Sequence, residues 1–180
     1  MKQSAKTALG GILAALMLVI LFLFSLFPSL TIAAPAVASM LMLFVVLEIG
    51  KGWAFGVYVT VSVLAMILIP VKEAAVLYTV FFGYYPILKQ ILEKKIHIRL
   101  IEWCVKIVLF VVIMFGAYYL MIRFMGIEFD EIDKYGRAAI PLLLLVGTAA
   151  FVGYDFCLTL FVGEYLRRWQ KRFKKLFHFK

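Results

Sequence analysis

Long apolar runs separated by short polar punctuation make up almost all of this chain. Six runs reach or approach the roughly 20 residues that a helix needs to cross the hydrocarbon of a bilayer. They are Ala8–Phe27, Pro35–Gly50, Gly52–Pro70, Ala74–Leu92, Leu100–Met125 and Ala138–Gly163. The second is short, and the loop before it can extend it. "PVKEA" (70–74) predicts a tight turn between the third and fourth. Pro28, Pro35, Pro70 and Pro141 lie at segment ends, where a missing N–H costs least. Pro86 lies inside the fourth run, in "FFGYYPILK" (81–89), and predicts a kink or break there. The pattern predicts an all-α membrane protein: a bundle of six transmembrane helices over residues 1–165, with a basic amphipathic tail over 166–180.

Composition agrees with this class. Hydrophobic residues make up 66% of the 180, and the mean hydropathy is +1.04. A soluble domain of this size needs far more polar surface, and 180 residues leave no room for one beside six spans. The start of the chain has the basic opening of a secretory signal. Its apolar run is longer than a signal core, so a retained first helix is expected.

Charge sets the orientation. Threading six spans puts the N-terminus, "EIGKGW" (48–53), "KQILEKKIHIR" (89–99) and the tail on one side. Of the 19 basic residues, only Lys72, Arg123, Lys134 and Arg137 fall on the other side, which also carries the acidic loop "IEFDEIDK" (127–134). Basic loops stay inside, so both termini are expected in the cytoplasm. Trp53, Trp103 and Trp169 then all sit at the inner interface, as in an aromatic belt. The two halves share neither spacing nor motif, so an inverted repeat is not expected.

Catalytic signatures are missing from the sequence. It has no HExxH, no GxSxG, no paired aspartate and no phosphate-binding glycine loop. The expectation is therefore no enzyme, no cofactor and no metal. Cys104 and Cys157 lie in apolar runs without a ligand partner and read as small buried hydrophobes. His97 and His178 read as ordinary interface residues.

Four features carry functional interest. First, Ser4, Ala8, Gly11 and Ala15 place small residues on one face of the first helix, widened by Gly10 and Ala14. Such a stripe lets another helix approach closely, either within this bundle or from a partner. Second, "FPSLTIAAPAVAS" (27–39) is an uncharged apolar outer loop that either caps a cavity or re-enters the bundle. Third, Gly83, Tyr84, Tyr85 and Pro86 form a broken-helix stretch that either lines a cavity or makes a packing kink. Thr60 and Ser62 in "VYVTVSVLAMILIP" (57–70) are expected to bond their own backbone. Fourth, the tail sets Trp169, Phe173 and Phe177 four apart among basic residues, which suits an anionic leaflet. Because it leaves directly from a membrane span, nucleic acid is not an expected partner.

Two charges lie at membrane depth. Lys106 is seven residues past Arg99, about 10 Å from the inner surface at 1.5 Å per residue. Asp155 is nine residues before Glu164, about 13 Å deep by the same rise. The matched depths on consecutive antiparallel helices predict an ion pair facing the interior, joined by Glu102 one turn from Lys106. The alternative is a Lys106 that snorkels alone to the interface.

Six short spans, both ends inside, the small-residue stripe and a capping first loop together resemble the substrate-binding S component of energy-coupling factor transporters. "KTALGGILAALMLVILFLFSLFP" (6–28) is similar to the opening of many such bacterial proteins. The resemblance covers the whole chain in topology and the first helix in motif. It implies a multi-pass protein of the bacterial plasma membrane that binds a vitamin-type small molecule. It also implies that Ser4, Ala8, Gly11 and Ala15 meet a transmembrane coupling protein carrying ATPase subunits, with glycine and serine here in place of some alanines. The histidine motif of the nickel and cobalt branch is absent. The other reading is a non-transport membrane scaffold or assembly protein of a bacterial envelope.

Overall fold

The computed structural model describes residues 3–27, 30–96, 98–120, 139–165 and 167. The acidic loop at 127–134, the two histidines and the tail with Trp169, Phe173 and Phe177 lie outside these residues. All regular structure among the described residues is helical. In lipid a single helix satisfies its own backbone N–H and C=O groups, so apolar runs fold this way.

The first helix, α1 (Gln3–Ser25), is followed by α2 (Ala33–Phe44), which continues as a π-helical turn over Val45–Ile49. Gly50 stops that turn with φ 106°, a conformation open to glycine and rarely to other residues. The next helix, α3 (Lys51–Leu68), starts at once. It ends where Ile69 turns extended ahead of Pro70, since proline disfavours helical geometry in the residue before it. Lys72 Nζ then donates to the carbonyls of Met66 (2.8 Å) and Ile69 (3.1 Å), closing the helix end.

The fourth run is built in three pieces: α4 (Lys72–Leu77), a π-helical turn over Tyr78–Phe82, and α5 (Tyr85–Lys95). Two long helices follow among the described residues, α6 (Arg99–Leu120) and α7 (Ala139–Glu164). Among the described residues, five helical runs are long and apolar enough to cross a membrane: α1, α3, the run Lys72–Lys95, α6 and α7. The helix over Ala33–Ile49 is apolar but shorter.

Two cores hold the bundle. The first joins α1, α2, α3 and α4 around Met17, Leu21, Met42, Val61 and Tyr78. The second is aromatic and joins α4 and α5 to α6 and α7. In it Phe110 stacks on Phe151 at 4.6 Å and 7°, and Phe81 meets both rings edge-on. The outer faces carry large apolar side chains such as Ile12, Ile67, Val112 and Leu145. So much exposed apolar surface would be a liability in water and suits lipid.

Two expectations need correcting here. Much of the expected first loop is helix: α2 already begins at Ala33, and Ala34, Pro35, Ala38 and Ser39 are buried. Pro35 fits because the first helical turn needs no N–H from it. Cys104 and Cys157 are exposed rather than buried. A small apolar side chain is equally at home against lipid, so composition could not place them.

Candidate functional site

Where α5, α6 and α7 meet, five charged side chains come together. Four-residue spacing puts the contributors of each helix on one face: Tyr85, Lys89 and Glu93 on α5, Glu102 and Lys106 on α6, and Asp155 and Thr159 on α7. Lys89, Lys106 and Asp155 are each only 2% exposed.

Asp155 is the centre. Its Oδ1 accepts from Lys89 Nζ at 2.5 Å and from the Tyr85 hydroxyl at 2.6 Å. Its Oδ2 lies 3.2 Å from Lys106 Nζ. Thr159 donates to the Asp155 backbone carbonyl at 2.9 Å and accepts from Lys89 at 2.8 Å. Lys89 also reaches Glu93 Oε1 at 2.9 Å. Lys106 pairs with Glu102 at 2.6 Å and with the same Glu93 oxygen at 3.3 Å, and lies 5.5 Å from the centre of the Trp103 ring. Each buried charge thus has several partners of opposite sign, the condition under which charge is tolerated in a low-dielectric interior. The Glu93 side chain is 41% exposed, so the cluster reaches the surface along α5.

Lys106, Asp155 and Glu102 are therefore brought together. Lys89 and Glu93, read from sequence as part of a basic surface loop, belong to the same cluster. Helix α5 runs on to Lys95, six residues beyond Lys89, which sets Lys89 about 9 Å further in. The available signal was the four-residue ladder Tyr85, Lys89, Glu93, hidden by the neighbouring Lys94 and Lys95.

The broken-helix residues are used for packing. Pro86 sits in the first turn of α5, so the chain breaks at Gly83–Tyr84 rather than kinking at the proline. Gly83 N closes the π-helical turn on the Tyr78 carbonyl at 2.7 Å. A Cβ on Gly83 would stand 2.7 Å from the Tyr58 ring and 2.9 Å from that of Tyr78. Tyr84 faces Tyr58 edge-on, Tyr85 is committed to Asp155, and Pro86 is buried. Rings of Tyr58 and Tyr78 crowd Gly83, and Tyr85 packs against the rings of Phe81, Phe151 and Tyr154.

The small-residue stripe divides into two faces. Gly10 and Ala14 are buried against the bundle, together with Met17 and Leu21. Ser4, Ala8, Gly11 and Ala15 are exposed, and a Cβ on Gly11 would meet nothing within 4 Å. Thr60 donates to its own helix at Gly56 O (3.0 Å), whereas the buried Ser62 hydroxyl has no hydrogen-bond partner. Elsewhere the Tyr154 hydroxyl and Ser39 hydroxyl join α7 to α2. Among the described residues, no three His, Cys, Asp or Glu side chains are grouped to hold a metal.

No family model, curated protein or solved structure matches this chain.

Proposed function

We propose that the chain is a solute-binding membrane subunit of a multi-subunit ATP-driven importer for a vitamin-type small molecule. In this reading it has six spans, with Ala33–Ile49 as the short second one, and both termini lie in the cytoplasm of a bacterial cell. The observation that carries it is the division of α1 into two faces. Gly10 and Ala14 serve internal packing, while Ser4, Ala8, Gly11 and Ala15 are left outward. A small-residue face turned to lipid gains nothing from lipid. It allows close approach of a partner helix, here that of a transmembrane coupling protein bearing ATPases.

A second reading, a non-transport membrane scaffold, draws support from the filled interior. Tyr78, Tyr85, Phe81, Met17 and Leu21 are fully buried, and the charged cluster is satisfied by its own members. Purification from the native membrane separates the readings. An ATPase-bearing complex that retains a small solute, and loses the chain on Gly11→Leu, supports the importer. A complex without ATPase subunits or solute supports the scaffold. A chain that purifies alone, with or without Gly11→Leu, sinks both.

A further inference from the structure

Among the described residues, Lys72–Lys95 is the most buried of the five long apolar runs. Its break falls between two anchors. Before the break, α4 is fixed in the first core through Ala75. After it, α5 is fixed in the charge cluster through Lys89. The hydrogen bonds at the break therefore bear on how the two halves of the bundle meet.

They turn on one carbonyl. In an α-helix the Gly83 N–H would bond four residues back, to Thr79 O. It bonds five back instead, to Tyr78 O at 2.7 Å, as a π-helical turn does. That frees the Thr79 carbonyl, and a freed carbonyl at membrane depth needs a partner. The Tyr58 hydroxyl of α3 supplies it, donating at 2.7 Å. Ser62 lies one turn further along α3, beside the Tyr58 hydroxyl. Among the described residues its hydroxyl is the one buried side-chain polar atom without a hydrogen-bond partner. Buried polar atoms are rarely left so, because an unmade hydrogen bond is costly.

A second arrangement gives every one of these atoms a partner. The Gly83 N–H moves to Thr79 O, Tyr78 O takes the Phe82 N–H, and the turn becomes α-helical. The released Tyr58 hydroxyl then donates to Ser62 Oγ. We propose that Tyr58, Ser62, Thr79 and Gly83 form a two-state hydrogen-bond switch, with Ser62 as the acceptor reserved for the second state. The π and α forms differ in twist and rise. The break at Gly83–Tyr84 takes up the difference, and α5 turns relative to α4, carrying α6 and α7 with it. The switch does not depend on the importer reading, since a scaffold would carry it equally.

Paired spin labels on the full chain in lipid test the switch. They are placed through Ile67→Cys on α3 and Val112→Cys on α6, both exposed, with Cys104 and Cys157 replaced by serine. The distribution of distances between them reads the relation of the two halves. Tyr58→Phe keeps the ring against Gly83 and removes the hydroxyl that competes for Thr79 O. A second distance population should then grow roughly 2- to 12-fold over the parent, the worth of one hydrogen bond. Ser62→Ala removes the reserved acceptor and should shift the populations the other way. It should also raise the melting temperature, since an unpartnered buried hydroxyl is gone. Three results overturn the proposal: a folded Tyr58→Phe chain with the parent's distribution, a Ser62→Ala chain that shifts in the same direction as Tyr58→Phe, or a Ser62→Ala chain that melts below the parent. The last would mean that the Ser62 hydroxyl is already bonded in the first state.

Discussion

Lys89 and Asp155 approach to 2.5 Å across the contact between α5 and α7, 66 residues apart in the chain. Both side chains are 3% exposed. Asp155 takes three donors at once, from Tyr85, Lys89 and Lys106, so one carboxylate ties together the three helices of the second half of the bundle. The aromatic core around Phe81, Phe110 and Phe151 is in the same half. Apolar packing alone discriminates poorly between helix pairings in lipid, since lipid tails are as apolar as the side chains. A charge cluster that must be completed gives α5, α6 and α7 a register.

Removing Asp155 should be the costliest single change in the cluster. Asp155→Leu leaves Lys89 and Lys106 short of their common partner, and breaking a buried pair from one side costs about 3–5 kcal/mol. Lys106→Met should cost less, because Asp155 keeps Lys89 and Tyr85. The double change Lys106→Met with Asp155→Leu should cost less than the sum of the two. Thermal melting of the purified variants measures this, and additive losses would falsify the coupling.

Glu93 marks the accessible edge. With 41% of its side chain exposed, Glu93→Gln should cost about 0–1 kcal/mol, as exposed pairs do. Its effect should shrink with added salt. Melting curves at low and high ionic strength for Glu93→Gln and Asp155→Leu should separate the two, with only the first depending on salt. Equal salt dependence would place Glu93 in the buried part.

Gly83 is required by close approach rather than by backbone conformation. Gly83→Ala puts a methyl 2.7 Å from the Tyr58 ring, and overpacking of this kind costs about 1–3 kcal/mol. A compensating Tyr58→Leu should recover part of the loss, although it also gives up the hydrogen bond from Tyr58 to Thr79 O. The double variant melting below both single variants would show that the clash is not the cause.

The two faces of α1 should behave differently. Gly10→Leu drives a side chain into Val57, whose Cγ2 lies 3.3 Å from where the new Cβ would stand, and should lower the melting temperature of the isolated chain. Gly11→Leu and Ala8→Leu add a side chain in open space. They should leave the stability of the isolated chain within about 0.5 kcal/mol of the parent, while reducing crosslinking to any partner complex. A destabilised Gly11→Leu chain with unchanged crosslinking would mean that this face packs internally.

The sequence by itself determined the class of the protein and much of the depth of its parts. Apolar runs of sufficient length become helices in lipid because each helix closes its own hydrogen bonds. A fixed rise per residue then puts Lys106 and Asp155 at similar depth before any packing is known. The break at Gly83–Tyr84 was legible for a related reason, since proline cannot continue a helix through its missing N–H.

Rotation about each helix axis was decided only by the tertiary structure. A soluble helix shows its buried face as an apolar stripe against a polar one. Here both faces are apolar, so nothing in the periodicity distinguishes Gly10 and Ala14, which are buried, from Ala8 and Gly11, which are exposed. The same loss of contrast put the two cysteines on the wrong side. Lys89 was misplaced for another reason: its neighbours Lys94 and Lys95 made a solvated loop the simpler reading. Only the packing of α5 against α7 brings its ammonium to Asp155.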